Sequence, residues 1–124
     1  METEQSPRIK RILWVAALIV LLAGCQTPPR PLYSWGHYEE LIYASYAAPG
    51  KVSPQMQVEQ LEQDYQKARA GNLRVPPGFH AHLGYLYYQL GKLDQARQEF
   101  ATEKADFPES AVFMNRLLAR LDAQ

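Results

Sequence analysis

The chain has 124 residues, 47% of them hydrophobic, and a formal net charge of zero. That length bounds it to one small domain. The charge balance gives no basic excess for nucleic acid and no acidic tail for a charged partner, and a single cysteine excludes an intrachain disulfide.

The N-terminus reads as an address. Arg8, Lys10 and Arg11 form a positive region ahead of an apolar run from Ile12 to Ala23. The run suits a signal-peptide core and falls short of the roughly 20 residues that a membrane-spanning helix needs. It ends in Leu22-Ala23-Gly24-Cys25, which resembles a bacterial lipoprotein box. Residues 1–24 are therefore expected to be a lipoprotein signal peptide. Cys25 is expected to carry a thioether-linked diacylglycerol and, after cleavage, an acylated amino group. A lone cysteine elsewhere would more often be a core thiol; its place at the end of the apolar run decides the reading. Several acyl chains anchor stably where one is marginal, at about 0.8 kcal/mol per buried CH₂. Gln26 stands where Asp is the usual inner-membrane retention signal, which favours the outer membrane.

Residues 25–31 hold the lipidated cysteine and a proline-rich tether, extended at roughly 3.1 Å per residue. Residues 32–124 are expected to fold as an all-α domain, with five helices and no alternating β pattern. On a helix from Gly36, residues Tyr38, Leu41, Ile42, Ser45 and Tyr46 share one stripe, read as core with Trp35 nearby. Tyr43 falls off it, beside Glu39 and Glu40, and is a candidate for surface contact. Ser53-Pro54 starts the next helix as N-cap and first helical residue. There Val58, Leu61, Tyr65 and Ala68 repeat on one face, while Glu59, Glu62, Asp64, Lys67 and Arg69 read as solvated. Gly71-Asn72 closes it, and Val75-Pro76-Pro77-Gly78 is a stiff elbow.

The segment Pro77–Ser110 carries the strongest pattern. Phe79, His80, Leu83, Leu86, Tyr87 and Leu90 fall on one stripe of roughly 120°. Gly91 stands where a helix end accepts the left-handed conformation. Leu93, Ala96, Phe100 and Phe107 form the stripe of a second helix, ended by Pro108. Ala96 is small where Gly84 would face it. Leu83, Gly84, Tyr87, Ala96, Phe100 and Pro108 keep the spacing of the tetratricopeptide helix–turn–helix repeat, about 34 residues long. The expected fold is thus short tetratricopeptide-like helical hairpins, the first a degenerate copy. A C-terminal helix, capped by Ser110, closes the array. Its Phe113, Met114, Leu117, Leu118 and Leu121 fill an arc of about 140° and read as core.

Two positions depart from the repeat: His80 replaces a large aromatic and Glu103 a small alanine. Either both are tolerated at a loosely packed end, or they form a partly buried imidazole–carboxylate pair. Metal chemistry finds no support, since His80 and His82 lie about 160° apart on their helix and there is no His-Glu-x-x-His and no second cysteine. No serine sits on a nucleophile elbow, and no glycine-rich phosphate loop is present. No cofactor and no catalytic residue is assigned. Tyr85 and Tyr88, with Ala81, lie off the core stripe on the face that lines the concave surface in tetratricopeptide folds. Tyrosine suits an interface; the alternative is that these side chains are partly buried under the degenerate pair.

The chain resembles a family of small Gram-negative lipoproteins catalogued as a domain of unknown function. The resemblance rests on Leu32-Tyr33, Trp35-Gly36, Tyr38, Pro76-Pro77-Gly78, His80-Ala81-His82-Leu83-Gly84, Glu103-Lys104, Phe107-Pro108-Glu109-Ser110 and Phe113-Met114. It implies an outer-membrane lipoprotein encoded beside two others, one similar to the curli-secretion channel component. The function expected is a non-catalytic helical adaptor of an envelope assembly on the periplasmic face, with other envelope lipoproteins as partners. The alternative is a peptidoglycan-directed enzyme or its activator.

Overall fold

The computed structural model describes residues 7–22 and 28–123 of the chain. Cys25 and Gln26, the positions expected from the sequence to carry lipid and to direct sorting, lie outside them. The chain divides into two compact units, Met1–Arg30 and Pro31–Gln124. The first holds one helix, α1 (Pro7–Leu22). Among the described residues, no helix is long and apolar enough to cross a membrane.

The second unit is all-α: α2 (Tyr38–Ala47), α3 (Pro54–Ala70), α4 (Phe79–Gln89), α5 (Leu93–Asp106), a 3-10 turn (Pro108–Ser110) and α6 (Ala111–Asp122). The one extended contact among the described residues is an isolated parallel bridge between Tyr33 and Arg74, where Ser34 N–H donates to the Arg74 carbonyl at 2.7 Å. An aromatic chain then leads the segment inward. Phe107, Tyr33, Trp35, Tyr38 and Phe79 follow one another at ring-centroid distances of 5.6–6.5 Å.

Helix α3 begins as the sequence predicts. The Ser53 hydroxyl accepts from Met56 N–H at 3.3 Å, and Pro54 occupies the first turn. Its buried face is Gln57, Val58, Leu61, Asp64 and Ala68. Asp64 is 5% exposed, so it belongs to the core side and not to the solvated face expected for it. Helix α4 buries Phe79, His80, Leu83, Gly84, Leu86 and Tyr87, as its stripe predicts. It ends in paired bonds from Gly91 N–H to the Tyr88 carbonyl (3.0 Å) and from Lys92 N–H to the Tyr87 carbonyl (2.9 Å). That closure needs a left-handed residue at Gly91, whose φ is +72°.

Helices α4 and α5 run antiparallel around Gly84. A methyl group on Gly84 would stand 2.7 Å from Phe100 Cε1 and 3.2 Å from the Ala96 carbonyl. The two backbones therefore approach only because residue 84 has no side chain. Crowding a packed interior in this way costs about 1–3 kcal/mol.

The outer helices differ from expectation. On α2 only Leu41 is buried, and Tyr46, expected on the core stripe, is 83% exposed. On α6 Met114 and Leu121 are buried, whereas Phe113 is 59% exposed. Both helices lie at the ends of the array, so a neighbour covers only the centre of each apolar arc. Pro108 opens the 3-10 turn that leads into α6. Ser110 provides no side-chain cap; its hydroxyl donates to the Glu103 carbonyl at 3.4 Å.

Candidate interaction face

Two buried carboxylates, Asp64 and Glu103, fasten the starts of α2 and α4. Neither α2 nor α4 has a capping side chain of its own, since His37 and Gly78 make no side-chain cap. A helix start leaves backbone N–H groups without partners and favours negative charge. Asp64 of α3 supplies both to α2. Its Oδ2 accepts from His37 N–H at 2.8 Å and lies 3.0 Å from His37 Nδ1. Gly36, at φ +49°, allows the approach, because a methyl group there would stand 2.5 Å from Asp64 Cγ. Glu103 of α5 does the same for α4, accepting from Gly78 N–H at 2.7 Å and from Ala81 N–H at 3.3 Å.

Of the two alternatives for His80 and Glu103, a direct pair does not form: the Glu103 oxygens are engaged by those amides. The carboxylate facing His80 belongs to Glu99, one helical turn earlier, with Oε2 at 2.6 Å from Nδ1. On the other side of the ring Asp106 Oδ2 stands 3.9 Å from Nε2, which finds no hydrogen-bond partner. Tyr65 and Phe79 pack edge-on against the imidazole at 5.1 and 5.6 Å. His80 is thus enclosed by aromatic rings on one side and carboxylates on the other.

The outward side of α4 separates two clefts. The first, about 450 Å³, is bounded by the end of α2, the 48–54 loop, the start of α3 and α4. Its floor is a bonded set. The Ser45 hydroxyl reaches Gln57 Oε1 at 3.3 Å, His82 Nε2 reaches the same oxygen at 3.4 Å, and Gln57 Nε2 donates to the Val52 carbonyl at 3.1 Å. Burial holds the His82 pKa below the ordinary histidine value, which favours a neutral ring. Burial, with Glu103 and Tyr46 nearby, pushes the Tyr38 phenol up. No Asp, Glu, Lys or Arg lines this cleft.

The second cleft, about 320 Å³, lies between α4 and α6 and is lined by Tyr85, Tyr88, Phe100, Leu117, Arg120, Leu121 and Ala123. Tyr85 is shared by both clefts and is 51% exposed. Its hydroxyl oxygen accepts from Gln89 Nε2 at 3.0 Å, leaving its own proton to donate outward. Of the residues singled out in the sequence, the structure brings Tyr85 and Tyr88 together at one cleft. Ala81 is half-buried one turn before Tyr85 and lines neither cleft, while Tyr43 is 72% exposed on α2 and also lines neither. Sequence reasoning missed Tyr46, His82 and Arg120 as lining residues. Arg120 reads in the sequence as part of the polar side of the last helix, and only the packing of α6 against α5 brings it to the cleft.

Among the described residues, no group of three or more His, Cys, Asp or Glu side chains is placed to hold a metal ion. Residues 32–117 match the family described as a domain of unknown function, DUF4810. The chain belongs to the DUF4810 family. The matched span takes in all of α2 to α5 and both tyrosines, and it ends within α6 at Leu117, before Arg120. No protein of curated function and no solved structure matches this DUF4810 chain.

Proposed function

We propose that this DUF4810 protein is a non-catalytic helical adaptor, or accessory subunit, of an envelope assembly. In this reading lipid on Cys25 holds it to the outer membrane, the proline-rich tether spaces the domain on the periplasmic side, and tetratricopeptide-like hairpins present a docking face. The partners are other envelope lipoproteins, including a subunit similar to the curli-secretion channel. One observation carries the reading: Tyr85, half-exposed with a free hydroxyl proton, forms the ridge between two clefts on one side of α4. Tyrosine supplies large amphipathic contact area and is enriched at interfaces.

The test is a crosslinking pull-down of the full-length lipoprotein from its own membranes, read by mass spectrometry. Tyr85→Ala combined with Tyr88→Ala is expected to abolish recovery of a co-purifying lipoprotein while the circular dichroism spectrum is unchanged. Cys25→Ala is expected to release the protein from the membrane fraction. Undiminished recovery with the double tyrosine variant would overturn the docking face.

A further inference from the structure

We infer that the cleft between α4 and α6, with the adjoining outward face of α6, seats a partner segment that combines acidic and bulky apolar side chains. The inference rests on the adaptor reading and gives it a ligand chemistry.

Shape and polarity come first. Phe100 and Leu121 are buried and form the floor, Tyr85, Tyr88 and Leu117 line the sides, and Arg120 is exposed among them. The volume, about 320 Å³, sits at the low end of the roughly 300–1,000 Å³ of ligand pockets. That is room for a few side chains and not for a large cofactor. At the start of α6, Val112 and Phe113 leave most of their surface in water.

Charge decides the occupant. Arg116 and Arg120 stand four residues apart, on one face of α6. Both are exposed, and neither takes part in an ion pair among the described residues. The single acid of α6, Asp122, is held by Arg97 at 2.9 Å, and Arg97 also takes Asp94 at 3.3 Å. No acidic residue lines the cleft. Two like charges at this spacing disfavour each other by a few tenths of a kcal/mol, and a partner carboxylate relieves that repulsion. A concave apolar floor flanked by tyrosines and an unbalanced arginine matches the make-up of interface hot spots.

The experiment uses the full-length chain in phosphatidylcholine nanodiscs and fluorescence anisotropy with short labelled peptides. One peptide alternates Leu with Glu, a second Leu with Gln, a third Leu with Lys. The Leu/Glu peptide is expected to bind at least about tenfold more tightly than the Leu/Gln peptide, a difference of roughly 1.4 kcal/mol, and to weaken with salt. Arg120→Glu is expected to reverse the preference toward the Leu/Lys peptide without altering circular dichroism. Equal binding of Leu/Glu and Leu/Gln, or an unreversed preference in Arg120→Glu, overturns the inference. Arg120-dependent capture by phosphatidylglycerol-containing vesicles, with no discrimination among the peptides, also overturns it and assigns the face to lipid. Loss of the native partner in the tyrosine variant without peptide discrimination overturns this inference and leaves the adaptor reading standing.

Discussion

His82 shows how one side chain makes the first cleft sensitive to acid. The ring packs against Tyr38 at 6.1 Å between centroids and bonds the Gln57 amide oxygen. Burial lowers its pKa from the ordinary 6.5, because the charged form is the one that burial disfavours. The unfolded chain therefore takes up this proton at a higher pH than the folded one. Where the unfolded state binds more protons, stability rises with pH. The contribution of neutral His82 is present above 6.5 and declines as the pH falls below it. Urea denaturation across a pH series should show the wild type losing stability relative to His82→Gln in that acid range. Two curves that stay parallel would show that the ring is not desolvated as described. Tyr87 is the contrasting case. Its hydroxyl donates to Glu62, and burial with that carboxylate raises its pKa far above the usual phenol range, so it stays a donor through physiological pH.

At the scale of elements, the same device closes both hairpins. A glycine with positive φ precedes or begins the outgoing helix, and a buried carboxylate from the returning helix accepts its first amides: Gly36 with Asp64, then Gly78 with Glu103. Glu103→Ala should cost about 2–4 kcal/mol, since it leaves two partly buried N–H groups without an acceptor. Glu103→Gln, which keeps an acceptor but loses the charge, should fall between it and the wild type. Equal midpoints for all three proteins in thermal unfolding would remove the cap from the account. Periodicity made the helices legible: the start at Ser53, the end at Gly91 and the close approach at Gly84 follow from local rules. The caps were not legible. Asp64 read as an ordinary solvated acid, and Glu103 stood out only for its place in the repeat spacing; the amides they serve lie 27 and 25 residues away, beyond the reach of a local pattern. Tyr46 and Phe113 failed for a related reason, because a stripe shows which face is apolar and not whether a neighbour covers it. Tyr85 and Tyr88 were found because they lie off the stripe; Arg120 needed the packed position of α6.

At the scale of the molecule, α4 lies between α3 and α5, and the two end helices keep apolar residues in water at Tyr43, Tyr46, Val112 and Phe113. Within the unit Pro31–Gln124, exposed aromatic surface is thus gathered at the edges of the array and along α4, where a folded partner meets several elements at once. The carboxylate caps have one more consequence. In α2–α3 the loop joins the helices at one end, Asp64 fastens the other, and the Ser45–Gln57 bond lies between. The hairpin is a closed ring whose covalent link is one fastening among several. A chain cut by a protease site inserted after the exposed Gly50 should therefore travel as a single native species in gel filtration, its halves parting only in denaturant.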